Sequence, residues 1–323
     1  MTTKVFAVAF IILQLSWTGI YGQPSRPKYL EIEKKFRCVT CPIYTADLPK
    51  MKRYEIGVIN NAFKTIMDSK LEFGYPQGGC QNRGHVMSML LRTKPKLEHG
   101  KVWVFAPIDL DAQSSLVLEV DDKNKLSDGN VIKWNYHVAP FLLTEKGGKT
   151  DTLVIDPSLF PDGPVQISQW LLSMRGADNG MFALLQPEWY FPYLNGTVLT
   201  GEFYKFEVDD KYCADNYRNL TLEKSLSMND LAVYIFKKYL LNLQQSTNIQ
   251  DKNKFGELRK VFGNVAVLSS FFDQQSSYCG ASREQNLSLR KYQHEFTDIM
   301  TDALLFYSQR LAHWIPVVKD LEK

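Results

Sequence analysis

The feature that most limits what this chain can fold into is a switch of hydrophobic period near Lys101. Before it, Tyr54 to Asp68 (YEIGVINNAFKTIMD) sets Ile56, Ile59, Ala62, Phe63 and Ile66 at helical spacing. The segment opening at Cys80 places Val86, Met89 and Leu90 on one helical face, which ends before Lys94-Pro95. From Lys101 the runs KVWVFAPI, SSLVLEV, NVIKWNYHVAPFLL and DTLVIDP are short, rich in Val, Ile, Trp and Tyr, and separated by turn residues. They read as successive strands, and connections this short predict antiparallel neighbours. Pro164 to Met174 predicts another helix. The last hundred or so residues return to helical pattern: SLSMNDLAVYIFKKYLLNLQQ, with Ser227 as candidate N-cap, ELRKVFGNVAVLSSFFDQQ, and LRKYQHEFTDIMTDALLFYSQRLAHWI running until Pro316. Helix, strands, then helices predicts an α+β core with a helical C-terminal region.

The chain has 323 residues, 45% hydrophobic and 23% charged, enough for one large domain or two smaller ones. A formal charge of +3, with no arginine-rich run, argues against nucleic acid as a partner. Residues 1–22 carry Lys4, an apolar run from Val5 to Trp17, and small residues up to Gly22, the pattern of a secretory signal peptide. The run is shorter than the ~20 residues a membrane helix needs, so cleavage is expected over an uncleaved anchor. Residues 23–50 are polar and proline-punctuated and read as an extended lead-in. A secreted chain, soluble once its signal is cleaved, also suits the three N-glycosylation sequons at Asn195, Asn219 and Asn286.

In an oxidising compartment cysteines pair, and an odd one is left over. Cys213 and Cys279 lie in polar surroundings and make the natural long-range bridge, which the chain-entropy model credits with ~4 kcal/mol. Cys38 and Cys41 form a C-x-x-C, read as a local disulfide over a redox pair or half a zinc site. No second metal-ligand pair exists to complete such a site, so no metal or cofactor is expected. Cys80 is the cysteine left unpaired.

Its setting is distinctive: GGCQNRGHVMSMLL puts Cys80 straight after Gly78-Gly79 and at the start of a helix. There the free backbone N–H groups and the helix dipole favour a thiolate, and the Cys80 N–H is a natural oxyanion donor. Gly84, one turn on, lets another backbone pack against the helix. A thiol nucleophile needs a histidine base and a group that orients it. His85 is rotated away from Cys80 on the same helix. His99 lies in a Lys/Glu/Gly turn, and His294 and His313 sit in the C-terminal helices. His137 stands on the strand IKWNYHVAPF. Alternation there puts Lys133, Asn135, His137 and Ala139 on one face, and Ile132, Trp134, Tyr136 and Val138 on the other. Asp156 ends the apolar strand TLVID before Pro157 and is the candidate acceptor for the His137 Nδ1–H. Trp134 and Tyr136 are weaker candidates for lining a substrate cleft.

GCQNRGHVM (Gly79 to Met87), WNYHVAP (Trp134 to Pro140) and LVIDPSLF (Leu153 to Phe160) together resemble the secreted protein glutaminases, or protein-glutamine deamidases. PVQISQWL (Pro164 to Leu171) is similar to the helix that follows the acid in that family. The resemblance spans about Tyr54 to Met174. It implies a Cys80, His137, Asp156 triad on a papain/transglutaminase-like core, with residues 51–210 as the catalytic domain and 211–323 as the helical C-terminal region. It further implies hydrolysis of exposed glutamine side chains in protein or peptide substrates, through a thioester and with release of ammonia. The same triad would serve a transglutaminase or a cysteine peptidase, and the fold would also serve a secreted binding protein without turnover.

Overall fold

Ile59, Ala62, Phe63 and Ile66 are buried on one face of α1 (Ile56–Met67), as their spacing predicts, whereas Ile56 is exposed on its first turn. This computed structural model describes residues 28–29, 45–74, 78–106, 117–188, 191–192, 198–199, 221–262 and 294–323. Cys38, Cys41, Cys213, Cys279 and the sequons at Asn195, Asn219 and Asn286 lie outside these residues, as do residues 1–22 and the segment from 263 to 293.

Helix α2 (Cys80–Thr93) differs from the one-faced helix expected. Asn82, Arg83, His85 and Ser88 are buried along with Val86, Met87, Met89, Leu90 and Leu91. The reason is tertiary, because α2 is packed against the sheet, against α1 and against C-terminal helices. A helix enclosed on all sides has no solvent face for a periodic pattern to mark.

The main sheet contains β1 (Lys28–Tyr29), β9 (Met181–Leu185), β3 (Gly100–Phe105), β6 (Tyr136–Lys146), β7 (Lys149–Val154) and β8 (Val165–Gln166), in that spatial order among the described residues. β2 (Arg53–Tyr54) pairs with β6 in parallel at Leu143 and Thr144. β3 to β6, β3 to β9, β6 to β7 and β7 to β8 are all antiparallel, and Val104 stands opposite His137.

The single run NVIKWNYHVAPFLL is two strands. β5 (Val131–Trp134) pairs with β4 (Leu118–Asp121) in a separate ribbon. The chain then bends at Asn135, whose carbonyl accepts from the Ala106 N–H at 2.8 Å, before β6 begins. β3 therefore skips β4 and β5 to pair with β6. Along β6 the period is two: Val138 and Leu142 share clusters with α2 residues. Ala139, Phe141 and Leu143 join Ile132, Trp134 and Trp170 on the opposite face. At Gly84, where the sequence suggests a close backbone approach, a Cβ would make only ordinary contact with β6, 3.5 Å from Val138 Cγ1 and 3.6 Å from its carbonyl oxygen.

α3 (Ile167–Leu172) follows β8, and a two-stranded ribbon of β10 (Phe191–Pro192) and β11 (Val198–Leu199) follows β9. The C-terminal region is helical: α4 (Leu222–Ile235), a π-helical turn at Phe236–Leu240, α5 (Leu241–Gln245), α6 (Ile249–Phe262) and α7 (Thr297–Leu321). α4 starts with Thr221 in the cap position. Ser227 lies inside it, its hydroxyl bonded to the Glu223 carbonyl at 2.7 Å, and is not the N-cap.

α7 passes through Pro316, where the sequence predicts its end, to Leu321. An interior proline costs a helix about 3 kcal/mol. Here Trp314, Val318 and Leu321 are buried in the cluster that holds α1 and α2, each worth about 1.5–3 kcal/mol. Arg92 also donates to the Leu321 carbonyl at 2.9 Å. Asp230 of α4 accepts from both Arg310 and Trp314 of α7 at 2.6 Å, fastening the two helices. One cluster thus joins Leu90, Leu142, Leu226 and Trp314, so the C-terminal helices share a core with α1, α2 and the sheet. Among the described residues no helix is long and apolar enough to cross a membrane.

The architecture is the α+β type expected, with the Cys80 helix packed on a mostly antiparallel sheet and a helical C-terminal region.

Candidate active site

Gly79 is in the left-handed region at φ 70°, which turns the chain sharply into α2 and makes Cys80 its first residue. Cys80 carries a free thiol and is 6% exposed. It packs with Trp103, Phe105, Val138, Ala183 and Leu185, so its wall comes from β3, β6 and β9. β6 supplies His137 at its second residue. The first turn after β7 supplies Asp156, whose main-chain carbonyl accepts from the Phe160 N–H at 2.8 Å.

The three residues meet in the fold. His137 Nε2 lies 2.8 Å from Asp156 Oδ2, and both side chains are nearly inaccessible. Among the described residues His137 Nδ1 has no hydrogen bond of ordinary length. It is the ring nitrogen left for Cys80, which interacts with the imidazole. Sequence reasoning assigned Nδ1 to the aspartate, and the structure reverses the two nitrogens. Ring orientation decides this, and it is set by packing: the imidazole stacks on Trp134 at 4.3 Å and 4°. Trp170 lies 5.6 Å away at 22°.

Trp134 shares the His137 side of the sheet, contrary to strict alternation, because the bend at Asn135 breaks the period. Its place is against the His137 ring. Tyr136 is half-buried and packs on Trp103 at 5.6 Å. Trp170 was missed as a site residue: its indole N–H donates to Asp156 Oδ2 at 2.8 Å. The only sequence signal for it was its place in the helix after the acid. Ser158 donates to Asp156 Oδ1 through its N–H at 3.2 Å and through its hydroxyl, a local turn around an aspartate that precedes proline.

Burial alone disfavours the charged forms of both partners. For His137 the adjacent Asp156 carboxylate, helped by Cys80, outweighs burial and raises the pKa from 6.5 to about 9. For Asp156, burial is outweighed by His137, Ser158 and Trp170, and the pKa falls from 3.8 to about 2. The pair is therefore a buried ion pair at neutral pH.

The other histidines stand elsewhere. His85 is buried with Nδ1 2.8 Å from the Lys101 amine, and burial holds its pKa well below 6.5. His99 bonds the Leu97 carbonyl at 2.8 Å, and burial pushes its pKa down to about 4. His313 lies on α7 beside Trp314.

The fold thus brings a buried thiol at a helix start beside an imidazole that is backed by a carboxylate, groups whose chemistry suits a nucleophile, a base and its orienting acid. Residues 59–174 match the family model Gln_deamidase_2, described as Glutaminase. No curated protein matches the chain. Among solved structures it is similar to the protein-glutaminase of Chryseobacterium proteolyticum, at 22% identity over 46% of this chain and 80% of that one, with a TM-score of 0.37. A protein-glutaminase crystal structure matches at 22% identity over 45% and 79%, with a TM-score of 0.35. A pro-protein-glutaminase matches at 20% identity over 50% and 57%, with a TM-score of 0.37.

Proposed function

We propose that the chain is a cysteine amidohydrolase that converts glutamine side chains of proteins or peptides to glutamate, with Cys80, His137 and Asp156 as its catalytic triad. One observation carries the reading: inside the glutaminase-family segment, the helix-start thiol of Cys80 meets an imidazole whose far nitrogen is held by Asp156.

The His137 imidazole beside the sulfur is the base that takes the thiol proton as Cys80 attacks. The Cys80 thiolate attacks the carboxamide carbon, forming the C–S bond and placing the C=O electron pair on oxygen. As that oxyanion collapses the C–N bond breaks, and His137 Nδ1–H protonates the departing ammonia, leaving a thioester. His137 Nδ1 then takes a proton from water, whose oxygen attacks the thioester carbon. Collapse expels the Cys80 sulfur and releases glutamate. Asp156 holds Nε2–H throughout, so Nδ1 stays aimed at the reacting atoms. Trp134 and Trp170 position the ring and the carboxylate.

In this reading residues 51–210 are the catalytic domain and 211–323 its helical partner. Secretion rests on the Val5 to Trp17 apolar run and the three sequons. The test is incubation with a glutamine-rich unfolded protein, with ammonia assayed and the product weighed. A gain of about one mass unit per converted side chain, absent with Cys80→Ala, is the expected outcome. Cross-linked or cleaved chains with intact glutamines would transfer the site to transglutaminase or peptidase chemistry. No reaction at a Cys80 that is accessible to alkylation would favour a binding protein on this fold.

A further inference from the structure

Gly79 is glycine for a second reason besides its positive φ. A Cβ there would sit on the side-chain carboxamide of Asn229, 2.6 Å from Oδ1 and 2.9 Å from Cγ. Asn229 belongs to α4, far outside the glutaminase-family segment, yet its amide rests on the residue that leads into Cys80. It is 2% exposed, and among the described residues neither Nδ2 nor Oδ1 has a hydrogen-bond partner. A buried amide normally satisfies both groups, and leaving them unmade carries the full desolvation cost. Here α4 is fixed by packing and by the Asp230 bonds to Arg310 and Trp314, so the amide cannot swing out to water without moving the helix.

Oxyanion donors show this condition at rest, being dry, preorganised and unpaired until charge develops in the reaction. The other donor is at hand, because the Cys80 N–H is the first of α2 and has no intrahelical partner. We infer that Asn229 is a further catalytic residue, its Nδ2–H donating with the Cys80 N–H to the substrate carbonyl oxygen as that oxygen becomes anionic. The inference rests on Cys80 being the nucleophile. It follows that the C-terminal helices supply part of the active site and are not an appendage to it.

The experiment uses the full-length protein, Asn229→Leu and Asn229→Asp. Both substitutions keep the branched shape of the amide, Asn229→Leu removes an unmet polar group, and Asn229→Asp adds a buried carboxyl, so the folding of each is checked first by circular dichroism and thermal melting. Two reactions of Cys80 are timed. Acylation by p-nitrophenyl acetate passes through an oxyanion, whereas alkylation by iodoacetamide does not. Acylation, and ammonia release from a blocked glutamine peptide, should fall about 100- to 1,000-fold in Asn229→Leu, chiefly in kcat. Asn229→Asp, which sets a carboxylate against the oxyanion, should fall at least as far. Alkylation should stay within about threefold.

Equal acylation rates in folded variants overturn the inference, and so does a parallel fall in acylation and alkylation, which would make Asn229 a support for the thiol. If wild-type protein releases no ammonia but its acylation depends on Asn229, the deamidase reading fails and this one stands. If neither reagent reacts with Cys80, both fall.

Discussion

Trp170 donates its indole N–H to the same Asp156 oxygen that holds His137, both contacts being 2.8 Å. The carboxylate is thus tied to α3 as well as to β6, and its direction does not depend on the histidine. Trp170→Phe keeps the ring and removes the donor. A hydrogen bond to a buried charge is worth about 1.5–3 kcal/mol, so the variant should be less stable by that amount, read from denaturant titration. With one fewer donor on the carboxylate the Asp156 pKa should rise, visible by carboxyl NMR. An unchanged midpoint and an unchanged Asp156 titration would mean the bond holds nothing.

The His137–Asp156 pair also sets a pH window. The histidine pKa is raised, so its contribution to stability is complete below 6.5 and disappears as pH rises through about 9. The aspartate pKa is depressed, so its contribution is complete above 3.8 and disappears as pH falls through about 2. The stability difference between wild type and Asp156→Asn should therefore be widest from pH 3.8 to 6.5 and shrink on either side. Denaturation series across pH check this, and a difference independent of pH would contradict the ion pair. Under the same assignment, alkylation of Cys80 should lose its histidine dependence near pH 9.

Cys80→Ser should abolish ammonia release while leaving the melting temperature nearly unchanged, since the change is almost isosteric and the residue is buried at a helix start. A folded, active variant would remove Cys80 from the mechanism. A large loss of stability would make it a core residue instead.

Gly79→Ala meets two obstacles, a backbone at φ 70° and the Asn229 carboxamide where the methyl would go. The left-handed conformation alone costs a non-glycine residue about 1–2 kcal/mol, and the clash adds to it. Expected is a destabilisation of more than about 1 kcal/mol together with loss of activity, read from denaturant midpoints and ammonia release. By contrast Gly84→Ala faces only ordinary contacts with Val138 at 3.5 Å and should be mild. Comparable losses at the two positions would contradict the Asn229 contact.

Sequence by itself determined the elements whose residues carry their own signal. One face of α1 is apolar at helical spacing, Gly78-Gly79 before Cys80 marks a sharp turn into a helix, and Asp156-Pro157 marks the end of a strand. Those signals suffice to place Cys80 at a helix start and Asp156 at a strand end, whereas His137 was legible only as a residue inside one longer strand. Tertiary structure decided what depends on partners distant in sequence. α2 is enclosed on every side, so its polar residues are buried and its period hides this. Asn135 bends because Ala106 bonds its carbonyl, which carries Trp134 onto the His137 ring and exchanges the roles of the two imidazole nitrogens. α7 continues past Pro316 because Trp314, Val318 and Leu321 gain more from a shared core than the proline costs. Asn229 reaches Gly79 across 150 residues of chain for the same reason: α4 goes where its buried surface fits, and only packing in three dimensions fixes that place.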